Sequence, residues 1–327
     1  MPRMVVPNSA TLHNARAFLT GNRPFEGRSR TAVLEFHPKW AHLDPMALSM
    51  IAAWGAWCRR RDLEIKVGNL GRHTRYAARM KLFDHLGVNY DAGIVAHEEA
   101  GRFLPVTQVT DRVGLTGVIG DISALLHMES DPDGLAAVQY CVSELIRNVL
   151  EHSGSPDGAF ICAHRFTKKK PHRVTIAVAD CGQGIAEHLG RAHPEALTDD
   201  AVALGLAMRP GVTGAIPGQY GTTDNAGAGL FITRSIAKGT GGYFFFYSGK
   251  AAYRLRRTRS PSKQIVLYLD PFDEPRRDLW RVVSPWQGTV AAVEVRTDKI
   301  ADFQGFFQWI RRQMPSRERT ARRIRFT

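Results

Sequence analysis

The sequence predicts an α/β protein of the two-layer α+β type, in which a small α/β domain precedes a larger domain with a mixed, mostly antiparallel sheet. Over residues 30–87, β-type runs alternate with amphipathic helical runs at short spacing. After residue 135, one long amphipathic helix is followed by a series of β-type runs. With 327 residues, 44% of them hydrophobic and 23% charged, the chain has the composition of a soluble globular protein with room for two domains.

The first part of the chain predicts two strand–helix pairs. Residues 30–36 and 63–67 are rich in apolar and β-branched residues, which favours strands. Asp44 followed by Pro45 is typical of the N-cap and first turn of a helix. Residues 76–86 carry apolar residues at helical spacing and predict a second helix. We therefore expect a small α/β layer in this part of the chain.

Residues 135–152 predict the helix around which the larger domain is organised. On this helix Glu144, Asn148 and His152 are spaced four residues apart, so their side chains lie in one row. A carboxylate, an amide and an imidazole beside an apolar face are unsuited to a solvent-facing surface. This row is typical of a helix that lines a pocket for a charged ligand.

Two glycine-containing motifs follow that helix. The motif Asp180-Cys181-Gly182-Gln183-Gly184-Ile185 ends an apolar run over 174–179 that predicts a buried strand. The motif Gly227-Ala228-Gly229-Leu230 opens a predicted helix over 231–237. Each motif alone is more often a simple turn, so only their combination and order are informative.

The remaining elements are expected at regular positions along the chain. They are helices over 111–128, 199–208 and 303–312, and strands over 158–166, 173–180, 241–248, 252–256, 264–270 and 289–296. The predicted organisation is a module over 1–95, a connector over 96–115, a second domain over 116–312 and a basic tail over 313–327. The histidines outside the motifs, His188 among them, lack metal-ligand spacing and are expected in loops or at the surface.

The order Glu-x-x-x-Asn-x-x-x-His, Asp-x-Gly-x-Gly-Ile and Gly-x-Gly-Leu resembles the N, G1 and G2 boxes of the GHKL ATPases. That superfamily includes gyrase, the Hsp90 chaperones, MutL, the histidine kinases and the anti-sigma serine kinases. The resemblance covers about residues 110–300 and is closest in style to the anti-sigma-type domains. It implies a GHKL (Bergerat-type) ATP-binding domain with ATP and Mg²⁺ as cofactors, and a lid over residues 185–226.

The resemblance also implies a role for each polar position. Asn148 would hold one Mg²⁺ through its amide oxygen, a suitable ligand for a hard cation. Glu144 would orient or deprotonate the attacking water, as in the hydrolytic members. Asp180 would accept a hydrogen bond from the exocyclic amine of adenine, and His152 would make a supporting contact.

Backbone freedom accounts for four of the eight other implied nucleotide-binding positions, which are Gly182, Gly184, Ile185, Thr222, Gly227, Gly229, Leu230 and Thr289. Gly182 and Gly184 would let the backbone approach the base. Gly227 and Gly229 would wrap phosphate at the N-terminus of a helix. Thr222 either adds a hydroxyl or makes a turn. Thr289, after a glycine, resembles the last box and would lie near the adenine.

Residues 28–92 resemble a STAS-like domain, the fold of the anti-sigma-factor antagonists. In its phosphorylated members a Ser or Thr follows the Asp of the strand-to-helix loop. Here Asp44 is followed by Pro45, Met46 and Ala47, so no hydroxyl is available. The resemblance therefore implies a scaffold or partner-docking role and not the usual phosphoswitch.

The net charge of +13 is concentrated in three basic segments, and seven Arg with one Glu lie between residues 311 and 327. A tail of this kind contacts nucleic acid, an acidic partner or an anionic membrane in some proteins and is a solvated helix end in others. Because no zinc-finger or RNP-type motif accompanies the charge, nucleic acid is a secondary expectation.

The sequence also bears on the compartment. The four cysteines, Cys58, Cys141, Cys162 and Cys181, form no CxxC pair, which favours buried thiols in a reducing cytosol. No apolar run is long enough to span a bilayer, and the N-terminus lacks the apolar segment of a secretory signal. We expect a cytoplasmic protein without membrane insertion.

The expected function is that of an Mg-ATP-binding regulatory protein, which uses ATP binding and slow hydrolysis to switch its lid or a partner interaction. Two alternatives stay open: a Ser/Thr protein kinase of the anti-sigma type acting on a STAS partner, and a nucleotide sensor or scaffold that does not hydrolyse ATP. The expected partner is a STAS-type protein or a second copy of the chain in a homodimer.

Overall fold

The computed structural model describes residues 1–91, 93, 103–167, 172–214, 227–257 and 265–315. The strands are β1 (Arg3–Val6), β2 (Ser9–Ala10), β3 (Thr31–Phe36), β4 (His42–Leu43), β5 (Glu64–Gly68), β6 (Phe103–Val109), β7 (Ala159–Phe166), β8 (Arg173–Ala179), β9 (Phe244–Leu255) and β10 (Arg277–Val295). The α-helices are α1 (Ala15–Leu19), α2 (Pro45–Arg59), α3 (Arg75–Arg79), α4 (Leu82–Leu86), α5 (Arg112–Leu126), α6 (Pro132–His152), α7 (Ile185–Gly190), α8 (Asp200–Ala207), α9 (Gly229–Thr240) and α10 (Phe303–Arg312).

Two sheets form the framework of the described chain. The first is parallel, with the strand order β1-β3-β5. The second is antiparallel throughout, with the order β6-β7-β8-β10-β9. A β2–β4 pair completes the described strands. The mixed α and β content and the antiparallel five-stranded sheet confirm the α+β class that the sequence predicts.

Helix α2 lies between the two sheets and joins them in one core. Its sequence is apolar on every side, and such a helix is stable only when it is buried on every side. All its residues except Arg59 are buried. Asp44 caps its N-terminus by accepting from the backbone N–H of Met46 at 3.0 Å. The hydroxyl of Ser49 donates to the carbonyl of Ala177 in β8 at 3.1 Å, so α2 packs directly on the five-stranded sheet.

The opposite face of the five-stranded sheet is covered by α5, α6, α9 and α10, which enclose a second apolar core. Helix α6 buries Val142, Leu145, Ile146 and Val149 there, the apolar face expected from its spacing. Its polar row therefore emerges beside the sheet, next to the N-terminus of α9. No described helix combines the length and apolar character needed to cross a bilayer.

The structure corrects several predicted elements. The helix expected over 76–86 is two short helices, α3 and α4, because Lys81 adopts a left-handed conformation with φ 58°. The expected connector contains β6, the edge strand beside β7. Residues 265–270, within the strand expected over 264–270, form no strand. The predicted basic tail covers 313–327, and its residues 316–327 lie outside the described residues.

The last two strands are longer than the sequence predicts. The runs 241–248 and 252–256 form one strand, β9, and the run predicted to begin at 289 begins at 277 as part of β10. The extra length comes from a hairpin in which Arg277 pairs with Leu255. The register is irregular on both sides of Trp286, in a stretch containing Pro285 and Gly288. The alternation of apolar and polar residues is therefore interrupted there, and the sequence does not predict one continuous strand.

Candidate functional site

A cavity of about 300 Å³ lies between α6, the N-terminus of α9, the loop after β8 and the last part of β10. Ten of the twelve residues singled out from the sequence line it: Glu144, Asn148, His152, Asp180, Gly184, Ile185, Gly227, Gly229, Leu230 and Thr289. Gly182 does not line the cavity, and Thr222 lies outside the described residues. The tertiary structure thus brings four separate segments of the chain to one cavity.

Asp180 ends β8 and is fully buried. Its Oδ1 accepts a hydrogen bond from the backbone N–H of Gly182 at 2.7 Å, and its own N–H donates to the carbonyl of Thr289 at 2.9 Å. Among the described residues, its Oδ2 has no hydrogen-bond partner. Burial raises the pKa of the Asp180 carboxyl to about 7, and the backbone groups of Gly182 and Thr289 only partly offset that effect. A buried carboxylate oxygen without a donor is costly, so Oδ2 is suited to accept from a ligand.

Gly182 holds the Asp180 loop against the end of α6. A Cβ on Gly182 would lie 2.2 Å from the carbonyl oxygen of Ser153, so no other residue fits without displacement of the backbone. On the opposite side, Gly288 has a φ of +93°, and a Cβ there would lie 2.4 Å from the carbonyl oxygen of Asp180. The two glycines therefore allow three backbone segments to meet around the carboxylate.

Asn148 lies one turn C-terminal to Glu144 in the polar row and lines the cavity. Its Nδ2 is buried and has no partner among the described residues. These residues contain no cluster of three or more His, Cys, Asp or Glu side chains that would hold a metal by themselves. A cation at Asn148 would thus take one amide oxygen from the protein and its other ligands from an anion and water, which is the coordination that Mg²⁺ prefers.

Glu144 lies where α6 meets the start of α9. Burial raises the pKa of its carboxyl, while Arg147 lowers it and Glu151 raises it further. Its Oε1 accepts from Nη1 of Arg147 at 3.2 Å. A Cβ on Gly229 would lie 2.1 Å from Oε2, so a larger residue at the first position of α9 would displace the Glu144 carboxylate from this position.

His188 is half-buried at the cavity and lies in α7, so the expectation of a loop is wrong. Its ring stacks on that of His152, with 4.6 Å between the centroids and 29° between the planes. Burial, with the nearby His152 and Arg191, lowers the pKa of His188 to about 4. The pair connects α6 to the first helix of the segment 185–226. No metal spacing or motif marks His188 in the sequence, because the contact is made by tertiary packing alone.

Several apolar residues that line the cavity are not among the site residues predicted from the sequence, although strand alternation indicates two of them. Val178 precedes Asp180 by two residues and Ala291 follows Thr289 by two, so alternation along each strand places the members of each pair on one face. Phe246 from β9 completes this wall. The cavity therefore has an apolar wall beside the buried carboxylate.

A hydrogen-bonded path connects α2 to the Asp180 loop from the other face of the sheet. Nε1 of Trp57 donates to Oε1 of Gln287 at 2.9 Å, and Nε2 of Gln287 donates to the carbonyl of Cys181 at 3.3 Å. Nε1 of Trp286 donates to the carbonyl of Asp180 at 3.0 Å. The N-terminal part of the chain thus contacts the backbone that positions the buried carboxylate.

Comparison of the chain with protein-family models, with curated proteins and with solved structures finds no match.

Proposed function

We propose that the cavity binds ATP with one Mg²⁺, and that the chain is a regulatory protein with a GHKL-type ATP-binding domain and a STAS-like N-terminal module. The observation that carries this proposal is a pair of buried, unpartnered polar atoms in one cavity, Oδ2 of Asp180 and Nδ2 of Asn148. Buried polar groups are normally satisfied, so both atoms point to a ligand with polar groups of its own.

The Asp180 side of the cavity fits an adenine. Its carboxylate offers Oδ2 as an acceptor, and the exocyclic amine of adenine is a donor. Val178, Phe246 and Ala291 supply an apolar wall for a flat ring. Guanine carries a carbonyl in place of that amine, so the same arrangement favours ATP over GTP.

The Asn148 side fits the phosphates and their cation. The amide oxygen of Asn148 would be one Mg²⁺ ligand, and the bound cation would offset phosphate charge. The backbone of α9 begins at Gly229 on the cavity wall, and a helix N-terminus favours an anion. These residues fit the group that the motif order implies.

Glu144 is the residue that we assign to hydrolysis in this proposal. In the proposed reaction it accepts a proton from water as the water oxygen bonds to the γ-phosphorus. The bond from that phosphorus to the bridging oxygen breaks, and ADP leaves with the electron pair. Burial raises the pKa of Glu144, so the pKa of this base lies closer to neutral pH than that of an exposed glutamate.

The experiment measures Mg-ATP binding by calorimetry and phosphate release in parallel. We expect the wild type to bind Mg-ATP, Asp180→Asn to lose affinity, and Glu144→Gln to bind at least as tightly as the wild type while losing turnover. Binding without phosphate release would favour the sensor or kinase alternatives, which transfer of labelled phosphate to a STAS-type protein separates. Absence of Mg-ATP binding by the wild type would refute the proposal.

A further inference from the structure

The charge of the cavity wall is unusual for a site that receives a triphosphate. Of the described residues that line the cavity, only Arg147 is a lysine or arginine. Two carboxylates, Glu144 and Glu151, line the same region. Since ATP with one Mg²⁺ retains net negative charge, such a site needs a cation on the protein side, and Arg147 is the candidate in this part of the chain.

Arg147 is held in a contact that can be exchanged. Its Nη1 donates to Oε1 of Glu144 at 3.2 Å and its Nη2 donates to the hydroxyl of Ser143 at 3.3 Å. Its side chain is 47% exposed, whereas that of Glu144 is 14% exposed. An ion pair with one exposed partner on a helix surface is weak and readily replaced by a stronger anion.

The carboxylate of Glu144 lies at two positively polarised features of the cavity. One oxygen pairs with Arg147, and the other lies against Gly229 at the start of α9. A helix N-terminus and a guanidinium are also groups that bind phosphate well. Glu144 therefore lies where a phosphate would be most favourable.

We propose that Arg147 binds the terminal phosphate of ATP and that it exchanges Glu144 for this phosphate. In the arrangement seen here Arg147 restrains the carboxylate. When a γ-phosphate takes the guanidinium, Glu144 is released to accept the proton of the attacking water, and the γ-phosphate transfers as described above. This inference rests on the proposed function and adds a link between ATP capture and activation of the base.

If this exchange occurs, binding affinity should differ among Mg-ATP, Mg-ADP and adenosine, and it should respond differently to each substitution. Arg147→Ala should weaken Mg-ATP binding about tenfold or more, should weaken Mg-ADP binding less, and should leave adenosine binding unchanged. Arg147→Lys should recover part of the ATP affinity, because it keeps the charge and loses the planar fork. Glu144→Gln should tighten Mg-ATP binding severalfold, because it removes the competing anion, and it should not do so when combined with Arg147→Ala.

Calorimetric titrations of each variant with Mg-ATP, Mg-ADP and adenosine provide the test. Arg3→Ala is the matched control: Arg3 is 51% exposed and pairs with Glu35 at 2.6 Å on the parallel sheet. It should leave all three affinities at the wild-type values.

The outcomes separate the two proposals. If the wild type does not bind Mg-ATP, the proposed function fails and this inference fails with it. If the wild type binds and Arg147→Ala binds Mg-ATP equally well, the role of Arg147 is refuted and the proposed function stands. Equal losses for Mg-ATP and adenosine would also refute it, because they would indicate general damage to the cavity. A loss graded from ATP to adenosine, with tighter binding by Glu144→Gln, is the result expected.

Discussion

Replacing Asp180 by Asn tests the site and the electrostatics of the fold together. The carboxyl is fully buried, and burial raises its pKa to about 7 while the backbone groups of Gly182 and Thr289 lower it less. A folded-state pKa above the unfolded value means that the folded protein holds this proton more tightly. Stability from this group is therefore complete at low pH and declines as the pH rises from about 4 to about 7.

The size of the effect follows from the two pKa values. The difference between about 7 in the folded chain and about 3.9 in an unfolded chain corresponds to about 4 kcal/mol of lost stability above pH 7. Asparagine has nearly the same shape and carries no charge, so Asp180→Asn should raise the free energy of unfolding at pH 8 by up to that amount. At pH 4 the two proteins should be nearly equal. Asp44, whose pKa burial raises to about 6, is present in both and cancels from the comparison.

The affinity for Mg-ATP should fall in Asp180→Asn, although the stability of this variant at pH 8 should rise. In the Asp180→Asn variant the side-chain oxygen of the new amide would accept from Gly182, which leaves the amide N–H₂ facing the adenine amine, donor against donor. Loss of a hydrogen bond to a charged acceptor costs about 1.5–3 kcal/mol, or about 10–100-fold in affinity. In the wild type, ATP affinity should rise with pH through 7 as Asp180 ionises, and the variant should lack this dependence.

Urea unfolding at pH 4 and pH 8, with Mg-ATP calorimetry at pH 6 and pH 8, measures both effects. A variant that is more stable at pH 8 and binds ATP weakly would show that Asp180 is retained for binding at the expense of stability. The reasoning is refuted if Asp180→Asn is less stable than the wild type at pH 8, or if it keeps the affinity and pH dependence of the wild type.

Three further substitutions give predictions of different kinds. Gly182→Ala should abolish Mg-ATP binding and lower the melting temperature, because its Cβ would lie 2.2 Å from the Ser153 carbonyl; wild-type values in calorimetry and thermal unfolding would contradict this. Glu294 is buried against two arginines and a histidine at 2.9–3.4 Å, so Glu294→Gln should cost about 3 kcal/mol in urea unfolding at pH 7. Burial alone would raise the pKa of Glu294, but the histidine and the arginines outweigh it and lower the pKa, so this loss should shrink as acidification protonates the wild-type carboxyl. Trp57→Phe removes the donor to Gln287 and should cost about 1 kcal/mol in stability and weaken Mg-ATP binding severalfold, whereas unchanged ATP affinity would show that α2 does not influence the site.

Much of the local structure was predictable because its signals are local. The helix expected over 303–312 is α10, and the helix expected from Asp44 and Pro45 is α2, since N-caps and helical spacing act within a few residues. The break at Lys81 was missed, because helical spacing continues through it while the backbone turns to a left-handed conformation. The long β10 was missed because its first half is defined by pairing with β9 in the hairpin, and the residue pattern of β10 alone does not show that pairing.

For the candidate site, the sequence by itself determined which side chains share a helix face and which glycines follow a strand. Glu144, Asn148 and His152 form one row because an α-helix repeats every 3.6 residues, and this holds in any fold. Tertiary structure decided what those faces meet: the start of α9 against Glu144, His188 on His152, and α2 behind the Asp180 loop. The reason is physical, since periodicity sets the direction of a side chain within its own element, whereas its contacts depend on the packing of elements far apart in the chain.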